Sequence, residues 1–141
     1  VKINDYQKNR FAQKIIDHFD GDLVGKKVAV LGWAFKANTN DSRESPAIYV
    51  AEKLLGAGAL LQIYDPMVAK ERIIEDLKKV IRDKGHQSNI ISKWLNRVSI
   101  YSDLESAICG SNVLSVITNW EEFEFYNWEI VEQKNIAFFK L

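Results

Sequence analysis

Short apolar runs alternate along the chain with segments whose apolar residues recur at helical spacing. Five short, mostly apolar runs are predicted to be strands: residues 28–31, 60–64, 98–101, 113–117 and 136–139. The first is continuously apolar, which is typical of a parallel strand buried on both faces. Helical spacing predicts five helices: residues 5–19, 46–56, 69–82, 90–95 and 128–133. A capping-box sequence from Ser102 to Glu105 predicts one more, ending at Gly110. The alternation predicts an α/β, three-layer Rossmann-like fold with a mostly parallel sheet of about five strands.

The predicted helix over residues 5–19 comes before the first strand, where a minimal α/β unit has no helix. Two interpretations remain open at this point. The segment either pads the sheet or is the end of a helix that connects this domain to something upstream.

The loop after the first strand is the candidate ligand site. Ser45 is placed to cap the next helix, with Pro46 at its first position. Ligands of parallel α/β sheets bind beyond the carboxyl ends of the strands. Residues 32–43, 65–66 and 118–120 all follow predicted strands, so we expect them to meet there.

A self-contained dinucleotide site is not expected, although Asp65 ends the second strand where a ribose-binding acid often lies. Counted from Gly32, the G-x-G-x-x-G pattern requires glycine at 34 and 37, and both are alanine. A methyl group at position 34 would obstruct the approach of backbone to a pyrophosphate.

Lys36 and Arg43 are the cations of this loop, beside a predicted helix N-terminus that itself favours anions. Lysine suits a phosphate or a hydroxyl, and arginine offers a planar fork to phosphate or carboxylate. The alternative for Arg43 is an ion pair with Asp41 or Glu44 that only fixes the loop.

Composition excludes several other functions. Nineteen basic residues balance nineteen acidic ones, so no overall field favours nucleic acid or a membrane surface. No apolar run approaches the roughly 20 residues that span a bilayer. The single cysteine, Cys109, is expected to be structural, and no Cys/His cluster suggests a metal site. The polar N-terminus does not read as a signal peptide, so a cytoplasmic protein is expected.

Three segments together resemble the C-terminal, UDP-binding domain of the UDP-glucose/GDP-mannose dehydrogenase family: residues 25–55, 61–68 and 111–123. The most specific part is Phe35-Lys36 followed by Asp-Ser-Arg-Glu-Ser-Pro at residues 41–46. The resemblance covers about residues 4–139. Within the family, the sequence is most like the enzymes that oxidise UDP-glucose.

The resemblance implies a three-part, homo-oligomeric parent enzyme with an N-terminal NAD-binding domain and a helical middle domain. Residues 1–22 would be the end of the interdomain connecting helix, and residues 23–141 the UDP-sugar-binding Rossmann-like domain. The parent would oxidise C6 of UDP-glucose twice, reducing two NAD+ and making UDP-glucuronate for polysaccharide biosynthesis. The fragment alone would be inactive, since the family's catalytic cysteine lies in a glycine-rich motif upstream.

By the same resemblance, Phe35 and Lys36 are substrate-binding, and Arg43 reaches NAD across the interdomain cleft. No catalytic residue and no metal ligand fall in this chain. The alternatives are a dehydrogenase for UDP-N-acetylmannosamine or GDP-mannose, a non-catalytic nucleotide-binding module, and a scaffold domain without ligand. Two departures from the family stand out: the Asp-Gly-Arg after the last strand is missing, and residues 79–97 form an enlarged connection.

Overall fold

The computed structural model describes the backbone of residues 2–141 and the side chains of residues 7–141. Helices and strands alternate through this described part in the following order: α1 (Lys2–His18), β1 (Lys27–Leu31), α2 (Pro46–Gly56), β2 (Leu60–Tyr64), α3 (Lys70–Asp83), α4 (Ser88–Leu95), β3 (Val98–Ile100), α5 (Leu104–Ile108), β4 (Val113–Val116), α6 (Glu121–Glu124), α7 (Glu129–Gln133) and β5 (Ala137–Lys140).

The strands form one sheet in the order β3-β2-β1-β4-β5, and every pairing is parallel. Three of them, β1, β2 and β4, are almost wholly buried. The path turns back after β3, and right-handed crossovers therefore place α5 and the helices after it on the face opposite α2 and α3. The predicted α/β, Rossmann-like fold with a parallel sheet is confirmed.

Local patterns located most of the elements. Ser45 caps α2 as predicted: its Oγ accepts the amide of Ala47 at 3.3 Å. The predicted capping box was wrong by one residue, because Asp103 caps α5 and its Oδ1 accepts the amide of Ser106 at 2.8 Å. The other carboxylate oxygen of Asp103 accepts the Ser106 hydroxyl at 2.9 Å, whereas the Ser102 hydroxyl makes no such hydrogen bond. Helix α6 was not predicted.

The segment over residues 79–97, expected from the sequence to be an enlarged connection, contacts the end of α2 through Arg97. The Arg97 guanidinium donates to the carbonyl oxygens of Ala59 at 2.7 Å and Leu55 at 2.9 Å, and it lies 5.9 Å from the ring centre of Trp94. Carbonyls at a helix C-terminus lack partners within the helix, and a cation there also complements the helix dipole. The connection therefore has a structural use. Among the described helices, none combines the length and the apolar character that crossing a membrane requires.

Candidate functional site

The carboxyl ends of β1, β2 and β4 meet under the loop of residues 32–45. Asp65, directly after β2, fixes the start of this loop: its Oδ2 accepts the amides of Trp33 at 2.6 Å and Ala34 at 2.8 Å, and the Trp120 indole at 3.2 Å. Its Oδ1 accepts the amides of residues 67 and 68 at 2.8 and 2.9 Å. Five donors thus occupy a buried carboxylate. Asp65 is a structural anchor and has no oxygen left for a ribose hydroxyl.

Because Gly32 has no side chain, the carboxyl ends of β1 and β4 can pack in direct contact. The φ of Gly32 is +93°, and a Cβ there would overlap the carbonyl oxygen of Thr118 and lie 2.7 Å from that residue's Cβ and amide nitrogen. The Thr118 hydroxyl donates to the Ala34 carbonyl at 2.6 Å. Gly32 is therefore required for the two strand ends to pack together. The loop that follows it contains no glycines that could let the backbone approach a pyrophosphate.

Asp76 of α3 anchors the loop a second time. Its Oδ2 accepts the Trp33 indole at 3.0 Å and the Ser42 hydroxyl at 2.6 Å, while its Oδ1 pairs with the Arg72 guanidinium at 3.2 Å. Asp76 is 8% exposed, so these donors replace the water that a carboxylate otherwise keeps. The two ends of the segment 33–42 are thus tied to one helix.

Phe35 and Lys36 project from the anchored segment. The Phe35 amide donates to the Asp41 carbonyl at 2.7 Å, which closes the loop, but the Phe35 side chain is 53% exposed. Lys36 is exposed, and its ammonium has no hydrogen bond or ion pair with any residue that the structure describes. A ring and a cation are thus exposed on adjacent residues of an anchored backbone, where they are available to an anionic ligand.

Arg43 is paired with Asp41 in the structure. The guanidinium meets the carboxylate twice, Nε to Oδ1 at 3.1 Å and Nη2 to Oδ2 at 3.0 Å. Both side chains are exposed, at 78% and 41%. The Arg43 side-chain hydrogen bonds, followed by its backbone N–H, lower the pKa of Asp41 to about 2. Glu44 has a different partner, the Tyr49 hydroxyl at 3.4 Å.

We expect Asp41 to titrate near pH 2, and its pKa to rise toward 3.8 in Arg43→Ala. The rise stops short of 3.8, because the residue 43 amide still donates to Asp41 at 3.0 Å. Since the folded-state pKa is the lower one, the pair's contribution to stability is present above pH 3.8 and is lost toward pH 2. Carboxyl carbon shifts followed by NMR report the pKa directly. Lys36→Ala is the control that should leave it unchanged; an unchanged value in Arg43→Ala would contradict the pairing.

A groove of about 800 Å³ runs beside the loop, between α2 and α3. Ile48 and Val80 give it apolar lining, and Phe35 and Arg43 both border it. Lys36 is not among the residues that line it. The three residues singled out from the sequence therefore share one loop, but only Phe35 and Arg43 share the groove.

Two anchoring acids were not recognised from sequence. The sequence pattern suggests only a ribose ligand for Asp65, and it predicts no role for Asp76 within an amphipathic helix. The available signal for Asp76 was its place on the apolar stripe of α3, among Ile73, Leu77 and Val80. Cys109 is exposed, which differs from the buried position usual for a structural cysteine. Among described residues, no group of three or more His, Cys, Asp or Glu could hold a metal ion.

Comparison with known proteins identifies related domains. The sequence model described as "UDP-glucose/GDP-mannose dehydrogenase family, UDP binding domain" matches residues 29–138. The chain is 40% identical over 134 residues to the UDP-glucose 6-dehydrogenase of Gallus gallus, covering 95% of this chain and 26% of that protein. It is 44% identical over 123 residues to that of Drosophila melanogaster, covering 87% of this chain and 25% of that protein. The chain thus spans about a quarter of these relatives' length.

Solved structures agree. A UDP-glucose dehydrogenase from Pyrobaculum islandicum matches with a TM-score of 0.65 and 29% identity, over 90% of this chain and 25% of that chain. A GDP-mannose dehydrogenase from Pseudomonas aeruginosa matches with a TM-score of 0.57 and 30% identity, over 92% of this chain and 27% of that one.

Proposed function

The chain belongs to the UDP-glucose/GDP-mannose dehydrogenase family, as its UDP-binding domain, and from that membership we propose that it is the sugar-nucleotide-binding part of an NAD-dependent UDP-glucose 6-dehydrogenase. The parent would convert UDP-glucose, water and two NAD+ to UDP-glucuronate and two NADH. Relatives named for this activity, at 40% and 44% identity over most of the chain, support UDP-glucose as the substrate.

The observation that carries the proposal is the exposed pair Phe35 and Lys36 on a loop held rigidly at the carboxyl end of the sheet. The Lys36 ammonium would bind a phosphate oxygen or a sugar hydroxyl, for which it is free among the described residues. Phe35 would pack against the ligand's apolar surface. Neither residue has a structural task that would explain its exposure.

NAD would be held elsewhere in the polypeptide. The described residues do not fit a dinucleotide: Thr118 fills the space beside Gly32, Ala34 replaces a glycine, and Asp65 is saturated by donors. Arg43 is proposed as this domain's contact to NAD across an interdomain cleft, for which the guanidinium would have to leave Asp41. Residues 1–22 are proposed as the end of a connecting helix from the domains that complete a homo-oligomeric parent.

Lys36→Ala is expected to weaken UDP-glucose binding to this chain about tenfold, the loss of one charge-assisted contact of about 1.4 kcal/mol. An NMR titration measures this, because it detects millimolar affinities. Lys93→Ala is the matched control, an exposed lysine on α4 whose loss should leave binding unchanged. Equal affinities for the wild type and Lys36→Ala would remove Lys36 from the site.

A second candidate is the same domain of an enzyme for another sugar nucleotide, favoured by the match to the P. aeruginosa GDP-mannose dehydrogenase. Parallel titrations with GDP-mannose and UDP-N-acetylmannosamine separate the two. Tighter binding of either ligand than of UDP-glucose would replace the first proposal. Equal, weak binding of all three would favour a nucleotide-binding module without sugar selectivity.

A further inference from the structure

The carboxylate of Asp76, on α3, forms hydrogen bonds with the loop of residues 32–45 on both sides of Lys36. Trp33 precedes Lys36 by three residues in the sequence and Ser42 follows it by six. Both donate to Asp76 Oδ2, at 3.0 and 2.6 Å, across sequence separations of 43 and 34 residues. The stretch between them is closed by the hydrogen bond from the Phe35 amide to the Asp41 carbonyl. The position of Lys36 therefore depends on where Asp76 holds the two ends of its loop.

The residues around Asp76 hold its carboxylate, and with it the two bonded ends of the loop, in a fixed position. Asp76 is buried on a helix that also contributes Ile73 and Leu77 to the core, so the carboxylate cannot follow a moving loop. The Arg72 guanidinium pairs with its other oxygen at 3.2 Å and also donates to the Ser42 hydroxyl at 3.1 Å. Breaking the contact from Trp33 would leave a buried indole N–H without its partner, which costs more than the contact itself contributes.

We propose that Asp76 is a positioning residue for sugar-nucleotide binding, acting through Trp33 and Ser42 to place Lys36 at the ligand. The inference rests on the proposed function. Both carboxylate oxygens of Asp76 already have partners in Trp33, Ser42 and Arg72, so its effect on the ligand passes through the loop backbone that carries Lys36. A residue that only stabilised the fold would affect binding in the same proportion whether or not Lys36 was present.

A double-mutant cycle measures that difference. The affinity for UDP-glucose is determined by NMR titration, well below the unfolding temperature, for the wild type, Lys36→Ala, Asp76→Ala and the double variant. We expect Asp76→Ala alone to weaken binding about fivefold, within the coupling seen for residues of one network. In the Lys36→Ala background it should cause no further loss, because the group that it positions is already absent.

Two further variants keep the test decisive. Glu75→Ala removes another acid of α3, one that is exposed and does not line the groove, and it should leave affinity unchanged. If Asp76→Ala does not fold, Ser42→Ala removes one loop contact more mildly and enters the same cycle. Equal fold-losses in both Lys36 backgrounds would overturn the positioning role alone. Equal affinities of the wild type and Lys36→Ala would remove Lys36 from the site and with it this inference. No binding by the wild type would overturn the proposal that this domain binds the sugar nucleotide.

Discussion

Replacing Asp65 with asparagine is expected to lower the free energy of unfolding by about 3–5 kcal/mol, since hydrogen bonds to a charged group contribute about 1.5–3 kcal/mol each. The carboxylate accepts three donors on Oδ2, from Trp33, Ala34 and Trp120, and two on Oδ1. Asparagine keeps only one acceptor oxygen. Whichever way its amide is turned, its NH2 group faces at least two N–H donors, which lose the acceptor that they have in the wild type.

Urea unfolding followed by far-ultraviolet circular dichroism gives the free energy and the m-value together. The matched control is Asp83→Asn, the same chemical change at an exposed ion pair, which should cost no more than about 0.5 kcal/mol. A loss below about 1 kcal/mol in Asp65→Asn, with an unchanged m-value, would mean that the five hydrogen bonds are not maintained in solution.

The role of Asp65 also bears on what the domain can bind. A Rossmann-type dinucleotide site uses an acid at the end of the second strand to hold a ribose. Here the acid at that place faces inward and holds the loop of the first strand. The topology is retained without the dinucleotide contacts, so under the proposed function recognition would fall to Phe35 and Lys36, which project from the loop.

The strands could be predicted because each buried strand is a short, mostly apolar run, interrupted only by Gln62 in β2 and Ser115 in β4. Residues 60–64 were placed without error for this reason. Helix α6 was missed because its four residues are too few to show a period, and three of them are glutamates. The helix forms where the chain turns to bury Trp120 and Phe123. This packing depends on tertiary contacts, which the periodicity of the sequence does not show.

The residues of the candidate site likewise fall into some that could be predicted from the sequence and others that could not. Topology alone placed Lys36 and Arg43 at the carboxyl edge of the sheet, and the Asp41–Arg43 pair, two residues apart, was a foreseeable alternative. The anchors were not foreseeable. Asp65 and Asp76 reach Trp33 across 32 and 43 residues, and in a sequence a buried acid looks the same as one on the surface.

Gly32→Ala is expected to lower the free energy of unfolding by about 2–4 kcal/mol, the sum of two costs. The φ of +93° is a conformation that residues with a Cβ adopt at about 1 kcal/mol or more. The added methyl would also overlap Thr118, and overpacking costs about 1–3 kcal/mol. Two of the three nearest atoms are backbone, so no truncation of the Thr118 side chain can make room.

Gly85→Ala separates the two costs by urea unfolding. Its φ of +92° is nearly the same, but a Cβ there would meet nothing within 4 Å, so only the backbone cost of about 1 kcal/mol remains. Equal losses in the two variants would show that β1 and β4 do not end in contact. If instead Gly32→Ala loses more, the displaced strand end must carry the loop with it, since Ala34 is bonded to Thr118. The folded fraction of Gly32→Ala should then also bind UDP-glucose less tightly than wild type, whereas Gly85→Ala, outside the loop, should bind it equally well.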